Sequence, residues 1–399
     1  MKNLDCREKR VLIRVDFNVP IDPSGHILDD RRITAALPTI QLVLDGGGIA
    51  ILMSHLGRPA GTGFEQAHSL APVAERLQTL LGAHHAVQFV SGACIGVAAQ
   101  EAVDAANPGN VVLLDNLRFE SGEKQNDATF GAALASLGDA YVNDAFGTAH
   151  RAHASMVAVP LAMPEAPRVA GLLLEKELHF LSETLADPAH PFAAILGGAK
   201  VSDKLGAIRN LLPRVDAIFV GGAMAYTFLH ARGEAIGKSL LEDEMVDTAR
   251  SLIDEAAATN TDLMLPTDHR CAQSIAPDVP TRVCELGIPA GWMGLDIGPE
   301  TLKNWQSRMN GMKTILWNGP VGVFEQPPFD QGTIGLAHTL AAATRKHHAV
   351  TIIGGGETAA AVKVAGVADR LLHVSTGGGA NLKMLEGGNL PGLAPLETD

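Results

Sequence analysis

Positive charge is scarce in this chain. Its 399 residues carry 31 Lys and Arg against 44 Asp and Glu, a formal net charge of −13. That balance argues against non-specific binding to nucleic acid or to an anionic membrane surface. Aromatic residues make up only 4%, too few for a platform that stacks single-stranded bases. The four cysteines (Cys6, Cys94, Cys271 and Cys284) form no CxxC pair and no regular framework. Unpaired thiols in a reducing compartment are expected, rather than a disulfide scaffold or a zinc site. No apolar run approaches the ~20 residues of a membrane span, and the stretch MKNLDCREKR lacks the apolar core of a secretion signal. A soluble, cytoplasmic chain is expected.

What is abundant is short apolar segments. RVLIRVDF, GIAILMSHLG, NVVLLDNLRF and DAYVNDAFG read as strands in the first half of the chain. PFAAILGGAK, VDAIFVGGA, TDLMLP, KTILWNGPVG, AVTIIGGGE and RLLHVSTGGG do so in the second. Between them lie stretches such as ITAALPTIQLVLDGG and SLAPVAERLQTLLG, with apolar residues three and four apart. Continuous apolar strands alternating with helices imply parallel sheets covered on both faces. The length is too great for one core and suits two, so the fold class expected is α/β, two doubly wound domains. The Pro-rich stretch Pro160 to Gly171 marks the seam, and LLLEKELHFLSETL reads as a connecting helix. The boundaries expected are 1–168, a connecting helix over 169–185, and a second domain over 186–379.

Ligands of open parallel sheets sit beyond the carboxyl ends of the strands. In the first half those positions hold Asp16, Asn18, His55, Gly57, Arg58, Asn116, Arg118, Asp144, His150 and Arg151, with Arg14 and Arg32 beside the first of them. Gathering arginines there in an acidic protein implies a cationic pocket, since the guanidinium fork matches phosphate and carboxylate oxygens. In the second half the corresponding positions are glycines. Gly197-Gly198-Ala199-Lys200 precedes a helix with Lys204, Gly354-Gly355-Gly356-Glu357-Thr358 opens another, and Ser375 to Gly379 a third. Glycine lets backbone amides approach phosphate, and a helix N-terminus favours the charge. A polyphosphate ligand is expected. GEAIGKS (Gly233 to Ser239) is one residue short of a phosphate-binding GxxxxGK[ST] loop and follows a helical stretch. Gly354, Gly356 and Ala359 satisfy a degenerate dinucleotide pattern, which leaves a nicotinamide-binding oxidoreductase as an alternative. His84-His85 and His347-His348 read as solvated, and His150 with His153 lacks a third metal ligand nearby in sequence.

Several blocks together resemble phosphoglycerate kinases of bacterial type. They are RVDFNVP (Arg14 to Pro20), SHLGRP (Ser54 to Pro59), DAFGTAHRAHAS (Asp144 to Ser155), LGGAKVSDK (Leu196 to Lys204), WNGPVGVFE (Trp317 to Glu325) and STGGGA (Ser375 to Ala380). IPAGWMGLDIGPET (Ile288 to Thr301) and GKSL (Gly237 to Leu240) match as well. The resemblance implies two Rossmann-like lobes joined by a hinge helix, with a C-terminal tail, residues 380–399, returning to the first lobe. It implies reversible transfer of a phosphoryl group from 1,3-bisphosphoglycerate to ADP, with Mg²⁺, in a monomer.

By motif match, Asp16, Phe17, Asn18, Arg32, His55, Leu56, Gly57, Arg58, Arg118 and Arg151 should hold the triose. Lys204, Gly294, Glu325, Gly355, Gly356, Glu357 and Thr358 should hold the nucleotide. Arg32 is chosen over Arg31 because the family's arginine directly precedes an isoleucine, here Ile33. Catalysis falls to Arg32, Lys200, Gly356 and Gly379, which would stabilise charge on the migrating group. No general base is needed, because the accepting carboxylate is already ionised. Lobe closure would exclude water. One departure stands out: the family usually has Asp where this chain has Glu357, so direct metal ligation there is open. A family member that binds both ligands without turnover is a second alternative.

Overall fold

A computed structural model describes Met1 and residues 4–396. The chain divides into two compact units, Met1–His179 with the residues from Asn389 onward, and Phe180–Gly388. Each unit is built on a six-stranded sheet.

In the first unit the strands are β1 (Arg10–Arg14), β2 (Ile49–Met53), β3 (Val87–Val90), β4 (Val111–Leu114), β5 (Ala140–Asn143) and β6 (Arg168–Ala170). Their order is β3-β4-β2-β1-β5-β6, with every pairing parallel. The residues of β2, β4 and β5 are buried throughout, as a sheet covered on both faces requires. One covering helix, Arg31–Asp45, turns Ile33, Ala36, Ile40, Val43 and Leu44 inward at helical spacing. The order changes direction at β1, which lies between β2 and β5, and β1 ends at Arg14 just ahead of Asp16.

The second unit repeats the plan with β7 (Phe192–Leu196), β8 (Ala217–Val220), β9 (Asp262–Met264), β13 (Thr314–Asn318), β14 (Val350–Gly354) and β15 (His373–Val374). The order is β15-β14-β13-β7-β8-β9, all parallel. The switch point falls between β7 and β13, where ligands of such sheets settle. Two glycine turns meet there: a Cβ on Gly197 would lie 2.1 Å from Pro320 O.

Three features depart from the sequence reading. A third sheet, β11 (Arg282–Glu285), β10 (Asp268–Ala272) and β12 (Met293–Ile297), is antiparallel. The connecting helix starts at Leu172, because Arg168–Ala170 pairs with β5 as an edge strand. It continues through a π-helical turn, His179–Glu183, to Thr184–Ala186. The expected tail, residues 380–399, is divided. Ala380 to Leu385 belongs to the helix Gly378–Leu385, which Asn210 anchors through Leu385 O at 2.8 Å. From Asn389 the chain groups with the first unit, where Gly392 N donates to Ala149 O and Asn143 Nδ2 donates to Gly392 O, both at 2.9 Å. Glu397, Thr398 and Asp399 lie outside the described residues.

Candidate functional site

The ends of β1, β2, β4 and β5 bring one set of side chains together. Arg32 Nη1 donates to Asp16 Oδ2 at 2.9 Å, whereas its neighbour Arg31 is turned to Asp29. His55 Nδ1 lies 3.9 Å from Asp16 Oδ1 and 3.2 Å from Arg14 Nη2. Asn18 Oδ1 accepts from Gly57 N at 2.8 Å, and Arg118 Nη1 donates to Gly57 O at 2.7 Å. Gly57 has φ +62, and a Cβ there would strike His68 at 2.3 Å; only glycine takes this corner without strain. Phe17 and Leu56 are buried in the core, so they can offer a ligand only backbone. Arg151 is exposed and donates to His150 Nε2 at 3.2 Å. Arg58 is also exposed and makes no hydrogen bond or ion pair among the described residues.

The electrostatics of this cluster are those of crowded cations. Burial, then Arg151 and Arg14, bring Arg118 down to about 10. Burial, then Arg14, Arg118 and Arg32, hold His55 well below the usual imidazole range. Burial, then Arg118, Arg14 and Arg151, lower His153 to about 4. Arg118 Nε, His150 Nδ1 and His153 Nδ1 are buried with no hydrogen-bond partner among the described residues. Guanidinium groups converging at one set of strand ends favour an anion there.

In the second unit the ends of β7, β8, β13 and β14 surround a cavity of about 460 Å³. Its walls are Leu240, Ile275, Met293, Leu295 and Val323, with Gly294 on the floor and Glu325 and Glu357 among the polar members. A Cβ on Gly294 would lie 2.0 Å from Tyr226 Oη, so the floor is kept flat by necessity. Lys204 is half-buried and donates to Asn318 Oδ1; burial lowers its pKa against the attraction of Glu357. Thr358 Oγ1 accepts from Gly319 N at 2.7 Å. Gly355 has φ +88, Gly356 opens the helix Gly356–Val364, and Gly356 N would lie 3.9 Å from a Cβ on Gly378. Two helix N-termini therefore converge, with exposed Gly379 in the first turn of the second helix. Lys200 is exposed and does not line the cavity.

Sequence reasoning missed several residues. Lys238, from the false phosphate loop, and Leu240, which follows that loop, are cavity walls. The buried carboxylates of Glu123 and Glu242 and the hydroxyl of Ser155 hold site-bearing loops. Nothing local signals the carboxylates, whose partners are 32 and 40 residues away. His85, expected to be solvated, is half-buried and bonded to Gly109 O through Nδ1 at 2.7 Å.

Comparison with known proteins decides the family. The phosphoglycerate kinase family model matches residues 1–388. The phosphoglycerate kinase of Moorella thermoacetica is 50% identical over 397 residues, spanning 99% of this chain and 98% of its own length. That of Pelotomaculum thermopropionicum is 49% identical over the same span. The chain belongs to the phosphoglycerate kinase family. The structure of phosphoglycerate kinase from Coxiella burnetii superposes with a TM-score of 0.87 at 40% identity, covering 99% of this chain and 97% of its own. The one from Pyrococcus horikoshii gives 0.84 at 28% identity, covering 99% and 98%. The fold is thus the family's α/β architecture with two parallel sheets. The chain is an enzyme of the kinase class, and it carries out the family's glycolytic phosphoryl transfer from 1,3-bisphosphoglycerate to ADP. Its substrates are small molecules, and turnover of a nucleotide generally requires Mg²⁺. Among the described residues no helix is long and apolar enough to cross a membrane.

Proposed function

We propose that the first unit holds the triose and the second holds the nucleotide. The observation that carries the triose assignment is the crowding of Arg14, Arg32, Arg118 and Arg151 around His55 at the strand ends, close enough to add to burial in lowering the pKa of both Arg118 and His55. Asp16, Asn18, Arg32, His55, Arg58, Arg118 and Arg151 would engage the phosphoglycerate through side chains. Leu56 would do so through backbone, while Phe17 and Gly57, whose N–H groups are given to Ser54 Oγ and Asn18 Oδ1, would shape the pocket. The nucleotide base fits the apolar cavity over Gly294, with Glu325 at its polar edge toward the ribose. The phosphates would lie over Gly355 to Thr358 and against Lys204, where amides and a half-buried cation favour anionic oxygen.

No three His, Cys, Asp or Glu side chains among the described residues cluster as a metal cage. Glu357 supplies one carboxylate at the cavity, which fits a Mg²⁺ held chiefly by substrate phosphates. When bound, such an ion neutralises phosphate charge. Glu357 stands where the family usually has Asp, and the extra methylene favours contact through water.

The accepting or leaving carboxylate of the triose needs no base, so the chain's work is positioning and charge stabilisation. Arg32 on one unit and Lys200 on the other would meet the migrating phosphoryl group, helped by the amides of Gly356 and Gly379. Transfer then depends on the two halves bringing their ligands together during turnover. A cytoplasmic monomer suits this reading, with unpaired buried thiols.

The test is a coupled assay of ATP formation from 1,3-bisphosphoglycerate, ADP and Mg²⁺. The protein should turn over, Glu357→Asp should keep activity, and Lys200→Ala should lose about 100-fold or more in kcat with nucleotide affinity largely intact. Equal losses of kcat and nucleotide affinity in Lys200→Ala would remove that lysine from the transition state.

A further inference from the structure

Four buried side chains of the first unit stand in single file. Glu123 accepts from Ser155 Oγ at 2.7 Å and from Ser155 N at 2.9 Å. Ser155 Oγ in turn accepts from Arg14 Nε at 2.8 Å. Arg14 gives a second donor to Val15 O, and its Nη2 lies 3.2 Å from His55 Nδ1. Glu123, Ser155 and Arg14 are wholly buried, and His55 nearly so.

Chemistry fixes the direction of each bond. A carboxylate only accepts, so the single hydroxyl proton of Ser155 goes to Glu123. A guanidinium only donates, so Arg14 gives protons to both Ser155 and His55. His55 Nδ1 must therefore be the bare nitrogen, and a neutral ring bare at Nδ1 carries its proton on Nε2. The reverse tautomer would set two N–H groups head to head in a buried place.

We infer that Glu123, Ser155 and Arg14 form a positioning relay that holds His55 as the Nε2–H tautomer, a fixed neutral donor for an anionic oxygen of the triose. The last part rests on the triose reading of the first unit. The relay also gives Glu123 a purpose. Its charge balances the buried guanidinium of Arg14 through one hydroxyl, and a buried arginine without such balance is costly. Burial and the surrounding arginines independently keep the His55 ring neutral, so tautomer, not protonation, is what the relay sets.

The experiment is ¹⁵N NMR of histidine-labelled, ligand-free protein near neutral pH, joined to steady-state kinetics. His55 is expected to show a protonated Nε2 and a bare Nδ1. Ser155→Ala should mix the two tautomers and raise KM for 3-phosphoglycerate roughly tenfold, the scale of one bond to a charged group. KM for the nucleotide should stay within about twofold, and Ser155→Thr, which keeps the hydroxyl, should restore the wild-type signal. If Ser155→Ala does not fold, Arg14→Lys, which keeps the charge but loses the fork, reads the same two signals. A proton on Nδ1 in the wild type, or variants that leave the tautomer unchanged, would overturn the relay. A tautomer change with the triose KM untouched would leave the relay standing and overturn the triose contact.

Discussion

Ser202 Oγ donates to Glu242 Oε1 at 2.6 Å, across 40 residues of sequence. The backbone N–H groups of Val201 and Ser202 donate to the other oxygen of the same buried carboxylate. Glu242 thus grips the loop that carries Lys200 and Lys204. Just before it in sequence, Lys238 and Leu240 line the nucleotide cavity. Cavity wall and lysine loop are therefore one mechanical piece. Glu242→Gln replaces an accepting oxygen with a donor and leaves at least one loop group unmet. We expect about 1–3 kcal/mol of lost stability, read as a lower urea midpoint, together with a lower kcat. An unchanged kcat would mean that the loop holds its shape without Glu242.

Two glycines at the same end of the second sheet should respond in opposite ways to a methyl group. A Cβ on Gly197 would meet Pro320 O at 2.1 Å and Gly319 O at 2.6 Å, both backbone atoms. Gly197→Ala should cost about 1–3 kcal/mol in thermal or urea unfolding. A Cβ on Gly356 would meet nothing within 4 Å, at the first position of a helix. Gly356→Ala should leave stability unchanged or raise it by up to about 1 kcal/mol, while turnover falls because a phosphate can no longer approach the amide. Full activity in Gly356→Ala would remove that amide from the site.

Asp296 is buried in β12 against Gly322 and accepts from Ile297 N at 2.9 Å and Gly332 N at 2.7 Å. Burial pushes its pKa up to about 8, from an ordinary 3.8. The folded chain therefore holds this proton more tightly than the unfolded chain does. Its contribution is fully present below about pH 4 and is lost as pH rises through about 8. Asp296→Asn has no proton to lose. The stability gap between wild type and Asp296→Asn should shift against the wild type between pH 5 and pH 8, roughly the window of that titration. A gap that stays constant across those pH values would mean that Asp296 titrates normally.

Much of this architecture was legible in the sequence because parallel strands buried on both faces leave unbroken apolar runs, as in IAILM and FAAIL. The antiparallel sheet was not, since DHRCA in β10 is mostly polar and its burial comes from bonds such as Thr301 N to Asp268 Oδ1. β6 hid inside a Pro-rich stretch as three half-buried residues on a sheet edge. At the site, strand-end arginines and glycine turns were visible because they follow apolar runs directly. The residues that hold them, Glu123, Ser155 and Glu242, contact partners distant in sequence and look like ordinary surface positions until the chain folds.

The division of labour between the two units is tested most directly by calorimetric titration of two variants with two ligands. Arg118→Ala removes a cation from the first cluster, and Gly294→Val drives a side chain against Tyr226 in the lining of the second-unit cavity. Arg118→Ala should bind 3-phosphoglycerate at least about tenfold more weakly and bind Mg-ADP as the wild type does; Gly294→Val should show the opposite pattern. Loss of Mg-ADP binding in Arg118→Ala, or of triose binding in Gly294→Val, in proteins that remain folded would contradict the account.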